Sequence, residues 1–85
     1  MERVIVERRF DGPQAFESLQ AAEDAFAWCL EQHRVRFVRS YFSTDRKRMI
    51  CEYEAPDAES VRATQRTAGL PFERIWTARV FNWNE

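Results

Sequence analysis

Four charged residues fall at strand-like spacing among aromatic and branched apolar ones: Glu7 in RVIVERRF, Arg39 in VRFVRSYFS, Glu52 in RMICEYEA and Arg79 in ERIWTARVF. Side chains alternate across a strand, so each charge shares a face with apolar neighbours. Glu7 goes with Ile5, Arg39 with Phe37 and Tyr41, Glu52 with Ile50, and Arg79 with Ile75 and Phe81. If these positions are covered, the charges must pair, because an unpaired buried charge is strongly destabilising. One reading is therefore a structural ion-pair network. The other is a pocket for a small polar or acidic ligand, in which Arg39 and Arg79 clamp an anion and Glu7 is the candidate base. The ligand-binding candidates are Glu7, Phe37, Arg39, Tyr41, Glu52 and Arg79, with the Tyr41 hydroxyl as a further donor.

The sulfur and imidazole chemistry is thinner. Cys29 and Cys51 form neither a CxxC motif nor a disulfide framework and read as reduced thiols. Cys51, in a strand and on the face opposite Glu52, reads as a small buried hydrophobe, since catalytic use needs exposure and a lowered pKa. His33 is the only histidine, and it closes a helical stretch whose C-terminal dipole a protonated imidazole would favour. One histidine and two distant cysteines give no metal-ligand spacing, so no metal or other cofactor is expected, Cys51 being the one candidate ligand. There is no Gly-rich phosphate loop, GxSxG or HExxH.

The elements that position these residues follow from periodicity. Arg3 to Phe10 is strand-like, and Asp11-Gly12-Pro13 stops it. From Gln14 to about His33 the period becomes helical, with Phe16, Leu19, Ala22, Phe26, Cys29, Leu30 and His33 on one face and Trp28 nearly opposite. Val35 to Ser43 and Arg48 to Ala55 read as a hairpin, with Arg39 opposite Glu52 and Ser40 opposite Cys51. Its turn, Ser43 to Lys47, lacks glycine, which favours a loop longer than a two-residue primed turn. Asp57 after Pro56 is an N-cap for a short helix that Gly69 and Pro71 end. Glu73 to Phe81 is the last strand, and in the tail Trp83 is placed to fold back onto the sheet edge.

The order βαββαβ is the ferredoxin-like split βαβ, an α+β fold. Right-handed crossovers put both helices on one face of a four-stranded antiparallel sheet in the order 4-1-3-2. The other face would then expose Ile5, Phe37, Tyr41, Ile50, Ile75 and Phe81, a patch that monomers seldom leave to water. A second copy packed sheet to sheet, a dimeric α+β barrel, is the expected cover.

Composition removes several function classes. The 85 residues make one domain, 1–85, and 14% are aromatic, which suits a packed core. A net charge of −1 and a pI of about 5.9 argue against nucleic acid or anionic lipid as the partner. Arg46-Lys47-Arg48 is a solvated turn, and the third strand lacks the stacking aromatics of an RNA-recognition sheet while carrying Glu52 and Glu54. MERVIVERRF mixes charges of both signs into its apolar residues, unlike a signal peptide, and no uncharged run approaches the ~18 residues of a membrane span. A cytoplasmic protein is expected.

Val6-Glu7-Arg8, Arg39-Ser40-Tyr41, Cys51-x-Tyr53-Glu54-Ala55-Pro56 and Gly69-Leu70-Pro71 together resemble a bacterial family of small ferredoxin-like domains of unassigned function. One branch of that family is named for nickel binding. The resemblance runs from about Arg3 to Phe81 and implies the ferredoxin-like fold and a homodimer. Nickel as cofactor is implied through that branch, which carries histidines at the places of Arg39 and Thr64; of such ligands this chain keeps Cys51. Three functions follow as expectations: a homodimer binding a small polar or acidic ligand on the open sheet face, a cofactor-free isomerase, cyclase or monooxygenase-like enzyme using the same cavity, and a nickel-binding protein.

Overall fold

In the computed structural model, which describes residues 1–82, the elements are β1 (Glu2–Arg9), α1 (Phe16–Ala25), α2 (Ala27–Gln32), β2 (Arg36–Phe42), β3 (Arg48–Ala55), α3 (Ala58–Ala68) and β4 (Arg74–Ala78). The sheet order is β2-β3-β1-β4 with every neighbouring pair antiparallel, as the split βαβ requires. The helices cover one face. The expectation for Trp83 lies outside the described residues.

Local chemistry accounts for the boundaries. Asp57 caps α3, its Oδ1 accepting from the Ser60 backbone N–H at 2.7 Å and from the Ser60 hydroxyl at 2.8 Å. Gly69, at φ 69°, closes the same helix, and Leu70 N–H reaches back to the Gln65 carbonyl at 3.0 Å. The hairpin turn does without glycine: Arg46 takes the left-handed conformation at φ 62°. Asp45 accepts from the Ser43 hydroxyl and the Lys47 N–H, while the Ser43 hydroxyl accepts from the Arg48 N–H.

The expected long first helix is two helices. Phe26, at φ −110° and ψ 15°, interrupts it, its N–H turning to the Glu23 carbonyl. The interruption lets Glu23 reach Tyr53 from one segment and Cys29 be buried from the other. His33 is the C-cap of α2, as the helical period suggested.

The core lies between helices and sheet: Val4, Val6, Val35, Met49, Cys51, Tyr53, Ala55, Val61 and Ile75, flanked by partly buried Phe10, Leu19, Leu30, Phe37 and Phe42. Two expectations about facing are corrected here. Arg39 pairs with Glu52 and Ser40 with Cys51 as expected, but Phe37 pairs with Tyr53, so Val38 is an extra residue in β2. This bulge shifts the alternation by one. Phe37 therefore faces the helices, its ring edge-on to Tyr53 at 5.6 Å between centroids. In β4, Ile75 pairs with Val6 and joins the core, so Arg74, Trp76 and Ala78 face the open side.

Candidate functional site

The open face is built from β1 Arg3, Ile5 and Glu7, β3 Ile50, Glu52 and Glu54, β2 Arg36, Arg39 and Tyr41, and β4 Arg74 and Trp76. Ile5 is buried in the middle by its neighbours, while Tyr41, Ile50 and Trp76 are 55%, 37% and 44% exposed. Cross-strand pairing makes the ion pairs: on one face, residues directly opposite or diagonal come within reach of long side chains. Arg3 bridges Glu52 at 2.8 Å and Glu54 at 3.4 Å, Arg36 holds Glu54 at 2.6 Å, and Arg39 Nε lies 3.8 Å from Glu52. The hydrogen bond from Arg36, reinforced by its charge and that of Arg3, holds the Glu54 carboxyl below the usual range. Towards β4, Glu7 Oε2 accepts from the Trp76 indole N–H at 2.7 Å and lies 3.7 Å from Arg74 Nε.

Of the six candidates, Glu7, Arg39, Tyr41 and Glu52 stand on this face, and two do not. Phe37 is on the helix side because of the bulge. Arg79 lies beyond the end of β4 at Ala78 and has the strand parity of Ile75, not of Trp76, so Arg74 takes the place expected of it beside Glu7. The sequence reading also passed over Arg3 and Trp76. Arg3 was legible, since counting by twos from Ile5 and Glu7 reaches it. Trp76 required the phase of β4, which a run apolar on both faces, Ile75 and Trp76 in succession, does not declare.

A groove of about 330 Å³ opens at the hairpin end of this face, lined by Glu7, Tyr41, Ile50, Arg48, Ser43 and Glu73, together with Arg8, Phe42 and Met49. It brings together Glu7 and Tyr41. Arg39 and Glu52 are not among its lining residues and belong to the ion-pair chain alongside it. The volume is at the lower end of the ~300–1,000 Å³ usual for ligand pockets.

Cys51 is on the other side of the sheet, buried, with Arg8, Glu23 and Tyr53 as neighbours. Burial raises its thiol pKa, against a smaller opposing pull from Arg8, so it lacks the thiolate character of a metal ligand or nucleophile. Burial, with the Glu23 carboxylate beside it, also raises the Tyr53 hydroxyl, which donates to Glu23 at 2.5 Å. Cys29 is buried separately in α2.

Comparison with known proteins places this architecture. Residues 5–77 match the family described as "Nickel responsive protein SCO4226-like", and the chain belongs to that family. The crystal structure of SCO4226 from Streptomyces coelicolor A3(2) superposes with a TM-score of 0.83 at 19% identity, covering 94% of this chain and 99% of that one. At that identity the likeness is one of fold. No curated protein matches the chain. The family name raises nickel, and the donor set does not fit it. Among the described residues no three of His, Cys, Asp and Glu converge to hold a metal ion. Thr64 is buried, its hydroxyl donating to the Val61 carbonyl at 2.7 Å, and Arg39 offers a cation, not a ligand.

Proposed function

We propose that this member of the family is a cytoplasmic, homodimeric binding protein that holds a small polar or acidic molecule at the hairpin end of the open sheet face. The observation that carries the reading is the groove itself. A carboxylate held by the Trp76 indole N–H and the nearby Arg74 charge (Glu7), a phenol (Tyr41), an exposed guanidinium (Arg48) and an apolar floor (Ile50) meet in one concavity of ligand size. Arg48 is the anion anchor, Tyr41 the neutral donor, and Glu7 the acceptor for a ligand N–H or O–H. A second copy laid across the sheet covers Tyr41, Ile50 and Trp76 and roofs the groove, turning a shallow concavity into a closed pocket. Arg39 and Glu52 set the frame next to it through the ion-pair chain. Two buried free cysteines suit a reducing compartment, and among the described residues no helix is long and apolar enough to cross a membrane.

The test is a thermal-shift screen of the purified chain with amino acids and small mono- and dicarboxylic acids. A stabilising compound should lose its effect in Arg48→Ala and Tyr41→Phe while both variants keep the parent melting profile without ligand. Stabilisation that survives both substitutions, or a screen without a hit, refutes the groove as the site. Metal analysis of untagged protein is the companion experiment, and stoichiometric nickel overturns the reading in favour of the family's name.

A further inference from the structure

The groove at the hairpin end carries its charges unevenly. Two carboxylates, Glu7 and Glu73, line it, and the backbone keeps them side by side: the Glu73 N–H donates to the Glu7 carbonyl at 2.7 Å. Arg74 Nε lies 3.7 Å from Glu7 and Arg9 Nε 3.6 Å from Glu73, but these arginine side chains are 66% and 62% exposed, and neither lines the groove. Exposed pairs of that length do little in water, so the two like charges keep a demand for a cation between them.

The cationic end is Arg48. Among the described residues its side chain makes no hydrogen bond or ion pair. Asp45 in the turn feels its charge, but that carboxylate accepts from the Ser43 hydroxyl and the Lys47 N–H. Arg8 lines the groove as well, with its guanidinium turned to the Gln65 side chain and the Pro71 carbonyl. The sheet register sets the separation of the two ends. Ile50 stands opposite Glu7, and Arg48 is two residues further along the same face. With strands ~4.8 Å apart and a rise of ~3.4 Å per residue, the Glu7 and Arg48 backbones are roughly 8 Å apart. Ile50, 37% exposed, and Tyr41 opposite it on β2 form the apolar part beside them.

We propose, resting on the groove as the binding site, that its ligand is a zwitterion: a small amino acid whose ammonium lies against Glu7 and Glu73, whose carboxylate meets Arg48 and whose aliphatic side chain covers Ile50. A dicarboxylate gives one end to Arg48 and must set the other against two carboxylates. A simple monocarboxylate leaves the acidic end without a partner, and a simple amine does the same to Arg48. Trp76 has a part in this, since its indole N–H occupies Glu7 Oε2 at 2.7 Å and leaves Oε1 to the ligand. An ammonium carries three N–H donors, enough to reach both glutamates.

The experiment is a ¹⁵N–¹H correlation titration of the full chain, at neutral pH and equal ionic strength, with four molecules on one carbon skeleton. They are valine, 3-methylbutanoate (which lacks the amine), 2-methylpropylamine (which lacks the carboxylate) and isopropylmalonate (a second carboxylate in place of the amine). Valine should give saturable shifts at Glu7, Arg48, Ile50 and Glu73 and bind about tenfold more tightly than either singly charged molecule, the worth of roughly one charge-assisted hydrogen bond. Isopropylmalonate should bind more weakly than 3-methylbutanoate. Glu73→Gln, at a half-exposed side chain, should shrink the advantage of valine over 3-methylbutanoate, and Arg48→Ala should erase its advantage over the amine. Isopropylmalonate binding as tightly as valine, or an advantage of valine unchanged in Glu73→Gln, overturns the zwitterion and leaves the groove standing. If none of the four binds while a dicarboxylate from the wider screen does, the zwitterion fails alone; if nothing binds in either experiment, the groove fails with it.

Discussion

Tyr41→Ala is the sharpest probe of the proposed dimer. Tyr41 lies on the open face and is 55% exposed, and its side chain makes no hydrogen bond or ion pair among the described residues, so its loss should leave the fold intact. An aromatic side chain buries ~150–250 Å² when covered, so the exposed part is roughly 80–140 Å². At ~25 cal/mol/Å² that is about 2–3 kcal/mol per copy, and a symmetric dimer counts it twice. Association returns only the surplus over ordering and desolvation, so about 3 kcal/mol is expected, roughly a hundredfold rise in the dimer dissociation constant. Sedimentation equilibrium across a dilution series reads this directly. Trp28→Ala is the control: Trp28 is 57% exposed but sits on α2, away from the open face, and should leave association unchanged. A parent chain that sediments at 10.2 kDa throughout, or a series in which Trp28→Ala dissociates the dimer and Tyr41→Ala does not, refutes sheet-to-sheet packing.

Gly69→Ala should destabilise by about 1 kcal/mol, because φ 69° is left-handed and a Cβ there is strained, and lower the melting temperature by ~4–8 °C. Glu54, its carboxyl lowered by the Arg36 bond, contributes stability above its ordinary value of 4.5 and loses it as pH falls through the lower, folded-state value. Melting temperature against pH should therefore fall less steeply on the acid side in Glu54→Gln than in the parent, and parallel curves would show that the pair is energetically silent. Both thiols should resist a disulfide reagent at neutral pH in the folded chain and react together on unfolding, since Cys29 and Cys51 are buried and burial raises Cys51. Rapid labelling of Cys51 in folded protein would contradict its placement.

Strand order, hairpin register at Arg39–Glu52, the Asp57 cap and the Gly69 stop were all legible because each has a local cause: alternation, turn chemistry or capping. The facing of Phe37 was not. Nothing in VRFVRSYF distinguishes a straight strand from one with an extra residue at Val38, since both readings put apolar side chains on either side. Arg79 failed for a related reason: the run from Arg74 to Phe81 is apolar on both parities, and the chain spends Ile75, not Trp76, on the core. Glu23 was not singled out in the continuous helix expected from the sequence. The interruption at Phe26 and a hydrogen bond to Tyr53, thirty residues away, place it beside the core, and no helical period reveals either.

The bulge at Val38 has a consequence for how β2 can change over time. On its α2 side, odd numbers are dry; on its turn side, even numbers are. A tolerance map of the strand should thus show its phase jump at one position. Deleting that single residue would leave Phe37 opposite Tyr53 and Arg36 opposite Glu54 in a straight strand, so a relative could lose it without rewriting either half, whereas one that flattened the strand at its present length would swap the two between oil and water.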